Sequence, residues 1–473
     1  MTTQIITPLR RTFGALLLAL MVCAFQPATA QKNKKSSGKG YRFTVKIDNC
    51  KDTMLLLGNY YLGGTYAIDS AHINKKGYFV FENKEKLLMP GMYFFSNRNG
   101  DFAEFVIYHE DISNIIFHTK NENWSRNMVI ENSPQNSWFY EYQLANEYLF
   151  ADGRKGTHAQ VDSVKNDFIQ RHPQSMLAIM MESTRPISVP YVNEQGDSLT
   201  GQQRLDYFQR HYFDNMPLSD DFLTRTPKSI LVMPVKDYME KALDGAMPET
   251  IIPLLVAAIE KSRKSKEVFH YLVHTFTEYY LKSNVMVYDE VYVHMIKRYY
   301  ETGEAFWASP STIDKEVTRA NKWEKILVGK TAPELILNDT SDTPHSLHRM
   351  PNQLKLLVFW SPSCGHCKTT IPAINEKLQE LRKDYDVQAF AIFTEPDENT
   401  TPRWKKFIKD HNLNEGWIHL NGGIANVDWR DVYDVTSTPR IFLLDQDNKI
   451  VAKNLNAEIF EMAVKANGKK KNN

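Results

Sequence analysis

The stretch from Leu354 to Lys368 constrains the fold of this chain most, because it joins a short apolar run to two cysteines spaced C-x-x-C. Residues 354–360 have the length and composition of a buried strand. A Ser-Pro-Ser break follows, and apolar residues then recur at helical spacing. We therefore predict that Cys364 and Cys367 lie where a strand gives way to a helix, with Cys364 at or near the first turn.

This placement predicts thiol chemistry. Unpaired N–H groups and the positive end of the helix dipole stabilise a thiolate, which is the form of cysteine that attacks disulfides. The spacing puts the sulfur of Cys367 one turn further along, near enough to form a disulfide with Cys364 and to release whatever Cys364 has captured. The motif predicts a redox-active pair, with Cys364 as the nucleophile and Cys367 as the resolving thiol.

Two other interpretations of the pair are weaker. A zinc site needs a second pair of Cys or His ligands, and the chain has no other C-x-x-C. His345 and His348 are near in sequence but lie in a polar, turn-like stretch. A purely structural disulfide with so short a loop would constrain little of the unfolded chain. We therefore expect no metal site and no organic cofactor.

The N-terminus has the order of features found in a secretory signal peptide. Arg10 and Arg11 precede an apolar run of 13 residues, and an Ala-Thr-Ala cleavage sequence ends at Ala30. The apolar run is shorter than the ~20 residues that span a membrane. We expect residues 1–30 to be removed near Ala30, and the mature protein to work in the periplasm or cell envelope.

The two remaining cysteines suggest no disulfide scaffold. Cys23 lies in the signal segment, and anchoring as a lipoprotein there is disfavoured because Val22 is a poor residue before a lipidated cysteine. Cys50 follows a strand-like segment and is most simply a buried small hydrophobe. With 57 basic and 56 acidic residues, the formal net charge is +1. No basic footprint for nucleic acid is present.

The length of 473 residues suggests about three domains. After a polar linker at 31–40, short apolar or alternating runs separated by turn formers predict a β-sandwich over 41–132. The strands predicted there are Tyr41–Ile47, Met54–Leu57, Gly77–Phe81, Met92–Phe95, Phe105–Tyr108 and Ile115–His118.

Residues 133–326 carry apolar and aromatic stripes at helical spacing, which predict an all-α bundle. His270 and His274 are spaced i, i+4, but no Glu follows the first His as in a zinc protease motif, so a metal is disfavoured. In 327–473 strands such as Val387–Phe393 alternate with helical segments, and the last helix is predicted from Ala457. This order indicates an α/β domain with a sheet of mixed strand direction.

The third segment resembles the thioredoxin superfamily, and within it the exported TlpA-like thiol–disulfide oxidoreductases. The motifs that carry the resemblance occur in family order over about the last third of the chain. They are Gly329-x-x-Ala332-Pro333, Val358-Phe-Trp-Ser-Pro-Ser-Cys-Gly-His-Cys-Lys368, Pro372 and Tyr433-x-Val435-x-x-Thr438-Pro439-x-x-Phe442-Leu443-x-Asp445. The two preceding segments look like poorly characterised modules found before such domains in other exported bacterial proteins.

The resemblance implies a thioredoxin fold and roles for several residues. It implies that the Thr438–Pro439 bond is cis and lies beside the two sulfurs, where the backbone of Thr438 can pair with an extended substrate. Trp360 is implied to pack beside the site. The dipeptide between the cysteines, Gly365-His366, is the one found in protein disulfide isomerase, and His366 is expected to tune the thiolate electrostatically.

Two departures from the family concern proton transfer. Thioredoxin carries a buried carboxylate where this chain has Val358, and TlpA-like proteins often carry a Glu where it has Thr370. Glu395, at the end of the following strand, is the one substitute that we predict near the site.

We expect a thiol–disulfide oxidoreductase that acts on exported protein disulfides or thiols, in the reductase, isomerase or oxidase direction, with a membrane thiol–disulfide protein as electron partner. The alternative is an envelope binding protein that uses its β and helical domains, with the thioredoxin domain as a docking module. A peroxiredoxin is disfavoured, because Leu357 and Ser361 stand where that family needs Pro and Thr.

Overall fold

The computed structural model describes residues 40–471. The predicted signal segment and most of the linker therefore lie outside the described residues. Within the described residues, no helix is long and apolar enough to cross a membrane. Strands dominate residues 41–131: β1 Tyr41–Asp48, β2 Met54–Tyr61, β3 Gly64–His72, β4 Tyr78–Asn83, β5 Gly91–Ser96, β6 Phe102–Ile107, β7 Ile115–Lys120 and β8 Val129–Glu131.

These strands, which we call the β region, form two four-stranded sheets in the orders β4-β1-β7-β8 and β3-β2-β5-β6. Alternate side chains of β1 are buried, so one face of its sheet points inward. On that face the Phe43 ring meets Phe105 of the other sheet edge-on, with ring centroids 5.3 Å apart. The sequence prediction missed β3, whose side chains are mostly exposed or half-buried and lack clear alternation.

The following residues, 134–324, form the helical region. Its α-helices are α1 Pro134–Tyr148, α2 His158–Arg171, α3 Met176–Ser183, α4 Gly201–His211, α5 Val232–Asp237, α6 Pro248–Lys261, α7 Lys266–Leu281, α8 Asp289–Met295 and α9 Pro310–Glu324. Short 3-10 or π-helical turns occur at Ala151–Gly153, Asp221–Arg225, Tyr238–Ala242 and Ile296–Tyr300. Most buried side chains of the β and helical regions belong to one continuous hydrophobic cluster, from Tyr41 to Leu327, whereas Phe168, Ala178 and Met181 form a small separate one.

The histidine pair of the helical region is involved in packing. His270 stacks on Trp307 at a centroid distance of 4.2 Å, and the His270 and His274 rings lie 6.0 Å apart. Burial is the main factor that lowers the pKa of His270, with the neighbouring His274 adding to it. Among the described residues, no three His, Cys, Asp or Glu side chains are grouped closely enough to hold a metal ion.

The C-terminal region is one mixed sheet with helices. Its strands are β9 Ile336–Asp339, β10 Pro344–Ser346, β11 Leu354–Trp360, β12 Val387–Phe393, β13 Trp417–Ala425, β14 Arg440–Leu444 and β15 Ile450–Lys453. Its helices are α10 Gly365–Leu381, α11 Thr400–Asp410, α12 Trp429–Val432 and α13 Ala457–Asn467. The strand order is β10-β9-β13-β12-β11-β14-β15. Strand β11 runs parallel to β12 and antiparallel to β14, and every residue of it is buried.

The helical and C-terminal regions meet along β15. The fully buried Lys453 of β15 forms an ion pair with Asp289 of α8 and donates to the Ile326 carbonyl at 3.1 Å. The connecting chain then runs beside the same strand: the Gly329 amide donates to the Ile450 carbonyl at 2.7 Å, and the Ile450 amide donates to the Lys330 carbonyl at 2.8 Å. Buried ionic and backbone contacts therefore join the two regions.

Candidate active site

The C-x-x-C pair lies where β11 ends and α10 begins. The strand is central and buried, so its carboxyl end holds the following loop in a defined place. Cys364 is the N-cap residue of α10, with extended backbone angles, and Gly365 is the first helical residue. The first amides of the helix have no intrahelical acceptors and surround this position. Cys364 is half-buried, whereas Cys367 is fully buried in the first turn.

The environment of Cys364 favours its thiolate. Burial by itself would raise the pKa of this thiol, but hydrogen bonds from the Thr438 side chain and from the backbone amides of Cys367 and His366 outweigh it, so the pKa is lowered. The protonated thiol donates to the Thr438 carbonyl, with Sγ and O 3.1 Å apart. That contact needs the proton, so the lowered pKa comes from the N–H and hydroxyl donors.

The second cysteine has the opposite environment. Burial raises the pKa of Cys367 to about 12, and a negative charge on the neighbouring Cys364 raises it further. A buried thiol whose pKa is raised stays protonated at neutral pH, and it becomes a nucleophile only when it loses that proton. Both cysteines are free thiols here, and Cys364 is the one that ionises first.

The loop before β14 completes the site. The Thr438–Pro439 peptide bond is cis. Thr438 and Pro439 are half-buried, and Thr436 and Ser437 before them are exposed or half-buried, so the loop is accessible from solvent. Because β14 is the antiparallel neighbour of β11, this loop lies at the end of the sheet that carries Cys364. An extended peptide could therefore reach the Thr438 backbone and the Cys364 sulfur together.

Glu395 lies beside the loop that carries the first cysteine. Its carboxylate accepts hydrogen bonds from the hydroxyls of Ser361, at 2.5 Å, and Ser363. These bonds lower the pKa of Glu395, so the group is ionised at neutral pH and is a weak base. Its role as a proton acceptor stays a prediction. The sequence prediction took the two serines only as a strand break and missed their contact with Glu395.

The other predicted site residues differ in accessibility. Trp360 is fully buried, with its ring centroid 5.3 Å from that of Phe407, and Val358 is also fully buried. Gly365 and His366 are exposed, and the position of a Gly365 side chain would face open space. In the part of the chain that the structure describes, no side chain therefore covers Cys364 on the side of Gly365, and this side is open to another chain. The buried position of Val358 provides no proton acceptor.

The histidines close to this segment have partners of their own. His345 Nε2 lies 2.9 Å from an Asp339 carboxylate oxygen, and His348 Nε2 lies 2.7 Å from the Ala332 carbonyl. Each of the two rings is therefore bonded to a different partner.

Comparisons with known proteins agree with this geometry. A family model described as Redoxin matches residues 327–467, and one described as a domain of unknown function (DUF4369) matches 41–139. Thiol-disulfide oxidoreductase ResA of Bacillus cereus is 28% identical over 130 residues, which cover 28% of this chain and 70% of that protein. The C-terminal region is a thiol–disulfide oxidoreductase domain of the thioredoxin superfamily.

Another curated protein and several solved structures are also similar to parts of this chain. Methylamine utilization protein MauD of Methylophilus methylotrophus is 30% identical over 135 residues, covering 27% of this chain and 56% of that protein. Among solved structures, a thioredoxin-like protein from Bacteroides caccae is 16% identical, with a TM-score of 0.47, and the match covers 60% of this chain and 99% of that one. A domain of a possible thiol-disulfide isomerase from Cytophaga hutchinsonii is 29% identical, with a TM-score of 0.26, over 30% of this chain and 92% of that one.

Proposed function

We propose that the protein exchanges thiols and disulfides with exported protein substrates through Cys364 and Cys367. The Cys364 thiolate attacks one sulfur of a substrate disulfide, the substrate S–S bond breaks, and the departing substrate thiolate takes up a proton. Cys367 then loses its proton and attacks the Cys364 sulfur, which releases the second substrate thiol. Two electrons pass from the enzyme dithiol to the substrate disulfide, and the reverse sequence oxidises a substrate dithiol.

The observation that carries this proposal is the contrast between the two thiols. Cys364 is accessible and has a lowered pKa, whereas Cys367 is buried and has a pKa of about 12. A nucleophile must be ionised and reachable, and a resolving thiol must be protected until the mixed disulfide forms. The geometry fits these two roles in this order.

Substrate docking is proposed at the backbone of Thr438 beside Pro439. The Thr438 carbonyl is 3.1 Å from Cys364 Sγ, so a chain paired with this residue would present its disulfide to the sulfur. Main-chain pairing of this kind gives affinity with little dependence on sequence. This suits an enzyme that acts on many proteins. His366 and Trp360 are proposed to tune the site, and Glu395 to hold the loop before Cys364 through its serine contacts.

The proposed location is the periplasm or cell envelope, with cleavage near Ala30. Support comes from the order of charged, apolar and small residues at the N-terminus. In such a compartment a dithiol must be regenerated by another protein. We propose a membrane thiol–disulfide protein as that partner, and its potential would decide the direction of electron flow.

The proposed organisation is a β-sandwich at 41–132, a helical bundle at 133–326 and the thioredoxin domain at 327–473. Support for a sandwich comes from aromatic contacts between the two sheets, such as Phe43 with Phe105 and Phe95 with Phe117. The shared cluster indicates that the first two parts are stable together.

Reduction of insulin by dithiothreitol tests the activity, because the released chains precipitate and scatter light. We expect the full-length protein to accelerate precipitation and the Cys364→Ala variant to be inactive, with Cys50→Ala as the matched control that keeps wild-type rates. Cys367→Ala should accumulate mixed disulfides with exported proteins. A wild-type protein that does not accelerate insulin reduction would contradict the proposal and favour the envelope binding protein instead.

A further inference from the structure

The helical region contacts the segment that leads into the loop at 435–439, which carries Thr438 and Pro439. The indole N–H of Trp323, near the end of α9, donates to an Asp434 carboxylate oxygen at 2.6 Å. On the preceding residue, the Lys322 ammonium lies 2.5 Å from the carboxylate of Asp431 in α12. Two side chains from one end of α9 therefore bind two acidic residues, one in α12 and one shortly after it.

Asp434 is at a turning point of the backbone. Its φ angle is +48°, in the left-handed region that few residues other than glycine adopt. Its carbonyl accepts a hydrogen bond from the Thr436 amide at 3.1 Å, and the Val435 amide donates back to the Arg430 carbonyl at 2.9 Å. The direction in which the chain enters the loop at 435–439 is therefore set at Asp434.

The charge of the Asp434 carboxylate also acts at the other end of the loop, on Arg440. Arg440 directly follows Pro439, and its guanidinium is held at 2.5 Å by the side-chain oxygen of Asn454. Burial lowers the pKa of Arg440, and the negative charge of Asp434 opposes that effect, which places the two groups within electrostatic reach. Asp434 thus accepts the hydrogen bond of Trp323 and directly precedes the loop that contains Thr438, and its charge also acts on Arg440 after the loop.

Trp323 is itself held in a fixed position. Its ring is half-buried and packs against Tyr292 of α8 at a centroid distance of 5.0 Å. The Tyr292 hydroxyl donates to Glu316 of α9 at 2.6 Å. The contacts between α8 and α9 therefore hold the indole N–H in position to donate to Asp434. Hydrogen bonds to a charged acceptor are stronger than those between neutral groups.

We infer that Trp323 is a positioning residue for substrate recognition, which acts through Asp434 on the loop that carries Thr438. The inference rests on the proposed function, because it assumes that protein substrates pair with the Thr438 backbone. It gives the helical region a part in selecting substrates. A small disulfide that needs only the Cys364 sulfur does not depend on the loop in this way.

The test compares two substrates in single-turnover reactions of the reduced full-length protein. One is a disulfide-linked peptide long enough to pair with the loop, and the other is hydroxyethyl disulfide. Trp323→Phe keeps the aromatic ring and removes the N–H. We expect the apparent KM for the peptide to rise about tenfold with the maximal rate unchanged, because the variant loses a hydrogen bond to a charged group that holds the entry to the loop. The rate with hydroxyethyl disulfide and the pH profile of Cys364 alkylation should not change.

Trp307→Phe is the matched control, because Trp307 lies in the same region and stacks on His270. It should leave both substrates unaffected. Asp434→Asn keeps an oxygen that can accept the indole N–H and should retain more peptide activity than Asp434→Ala. Adding Trp323→Phe to Asp434→Ala should cause no further loss, because the partner is already absent.

The outcomes separate the two claims. A wild-type protein inactive on both substrates would overturn the proposed function and the inference with it. An active wild-type protein whose Trp323→Phe variant binds the peptide normally would overturn the inference alone. Equal losses on both substrates, or additive losses in the double variant, would mean that Trp323 only stabilises the fold, and would also overturn it.

Discussion

The β region and the C-terminal region are both built on sheets, but they cover those sheets differently. In the β region, the inner faces of the two four-stranded sheets contribute to one hydrophobic cluster, and this cluster continues into the helical region. The C-terminal sheet has a separate hydrophobic cluster on each of its faces, and its central strand β11 is buried throughout. A sheet covered on both faces leaves its strand ends as the accessible places, and Cys364 lies just beyond such an end.

The β region and the C-terminal region also differ in the pKa of their half-buried cysteines. Cys50 is half-buried in the β region, and burial raises the pKa of its thiol. Cys364, at a helix N-terminus, has a lowered pKa although burial opposes it. Two half-buried thiols thus differ in the direction of their pKa shift, which is upward for Cys50 and downward for Cys364. The difference comes from the hydrogen-bond donors around Cys364, which are the Thr438 side chain and the amides of the first helical turn.

The largest expected effect is on alkylation by iodoacetamide, which consumes thiolates. The thiolate fraction rises with pH up to the pKa, so Cys364 should reach half its maximal rate below pH 9, whereas Cys367 requires a pH near 12. At pH 7 we expect Cys364 to react about 10³-fold faster than Cys367, and Cys50 to react slowly. Mass spectrometry of labelled peptides measures the three rates. Faster labelling of Cys367 would reverse the assigned roles.

A second prediction concerns stability. Phe95 is 1% exposed and stacks on Phe105 at 4.6 Å in the β region. Replacing it with alanine should lower the free energy of unfolding of the β region by about 3–5 kcal/mol. Because the cluster is shared, hydrogen exchange should also increase in the helical region but not in β11 or β12. Phe102→Ala is the control, since Phe102 is 54% exposed in the same sheet as Phe95. Equal destabilisation of β11 would show that the two regions unfold as one unit.

A smaller effect is expected at His366. The redox potential of the wild-type protein should lie nearer to about −180 mV than to about −270 mV, because a stabilised thiolate makes the disulfide a stronger oxidant. His366 is exposed, so solvent screens its imidazole, whereas its backbone amide helps to lower the pKa of Cys364. His366→Pro removes both and should lower the potential by about 30 mV. His366→Ala keeps the amide and should lower it less.

Equilibration with glutathione buffers measures these potentials. A wild-type midpoint as low as about −270 mV would contradict the argument from the helix N-terminus. Equal shifts for His366→Ala and His366→Pro would assign the whole effect to the imidazole.

The smallest effect is expected for Cys50→Ala. The Cys50 sulfur packs against the shared cluster and lies 3.8 Å from the Asp52 carbonyl. Losing one sulfur at a half-buried position should cost about 1 kcal/mol or less. Denaturant midpoints and insulin reduction check this prediction together. A loss of turnover would reveal a redox role for the β region, which we do not expect.

Local patterns in the sequence predicted much of the thioredoxin domain. The strands Leu354–Trp360 and Val387–Phe393 and the start of the last helix at Ala457 are confirmed. Each strand is apolar except at its second residue, and the helix begins after a clear polar break. Strand β13 at Trp417–Ala425 was missed, because its histidine, asparagine and glycines interrupt the apolar pattern that would predict a strand.

Contacts between distant residues could not be predicted in this way. Trp323 and Asp434 are 111 positions apart, Trp323 belongs to no recognisable motif, and the motif that contains Asp434 leaves its position unspecified. Trp323 ends an amphipathic helix, and Asp434 follows a conspicuous Tyr in the loop motif. Only the docking of the helical region on the C-terminal sheet brings them together. The serine contacts of Glu395 were missed for a similar reason, since Glu395 follows a strand that is parallel to β11 and only folding aligns their ends.

The segment before the C-terminal sheet determines where a stable fragment of the thioredoxin domain can begin. Strand β15 is at the end of the sheet, and residues 329–332 occupy its free side through hydrogen bonds with Ile450 and Asn448. Unpaired strand edges invite other chains to add on and aggregate. A fragment that begins at residue 327 would keep this cover. A fragment that begins at 334 would expose the edge of β15, and we expect it to self-associate even with its cysteines intact.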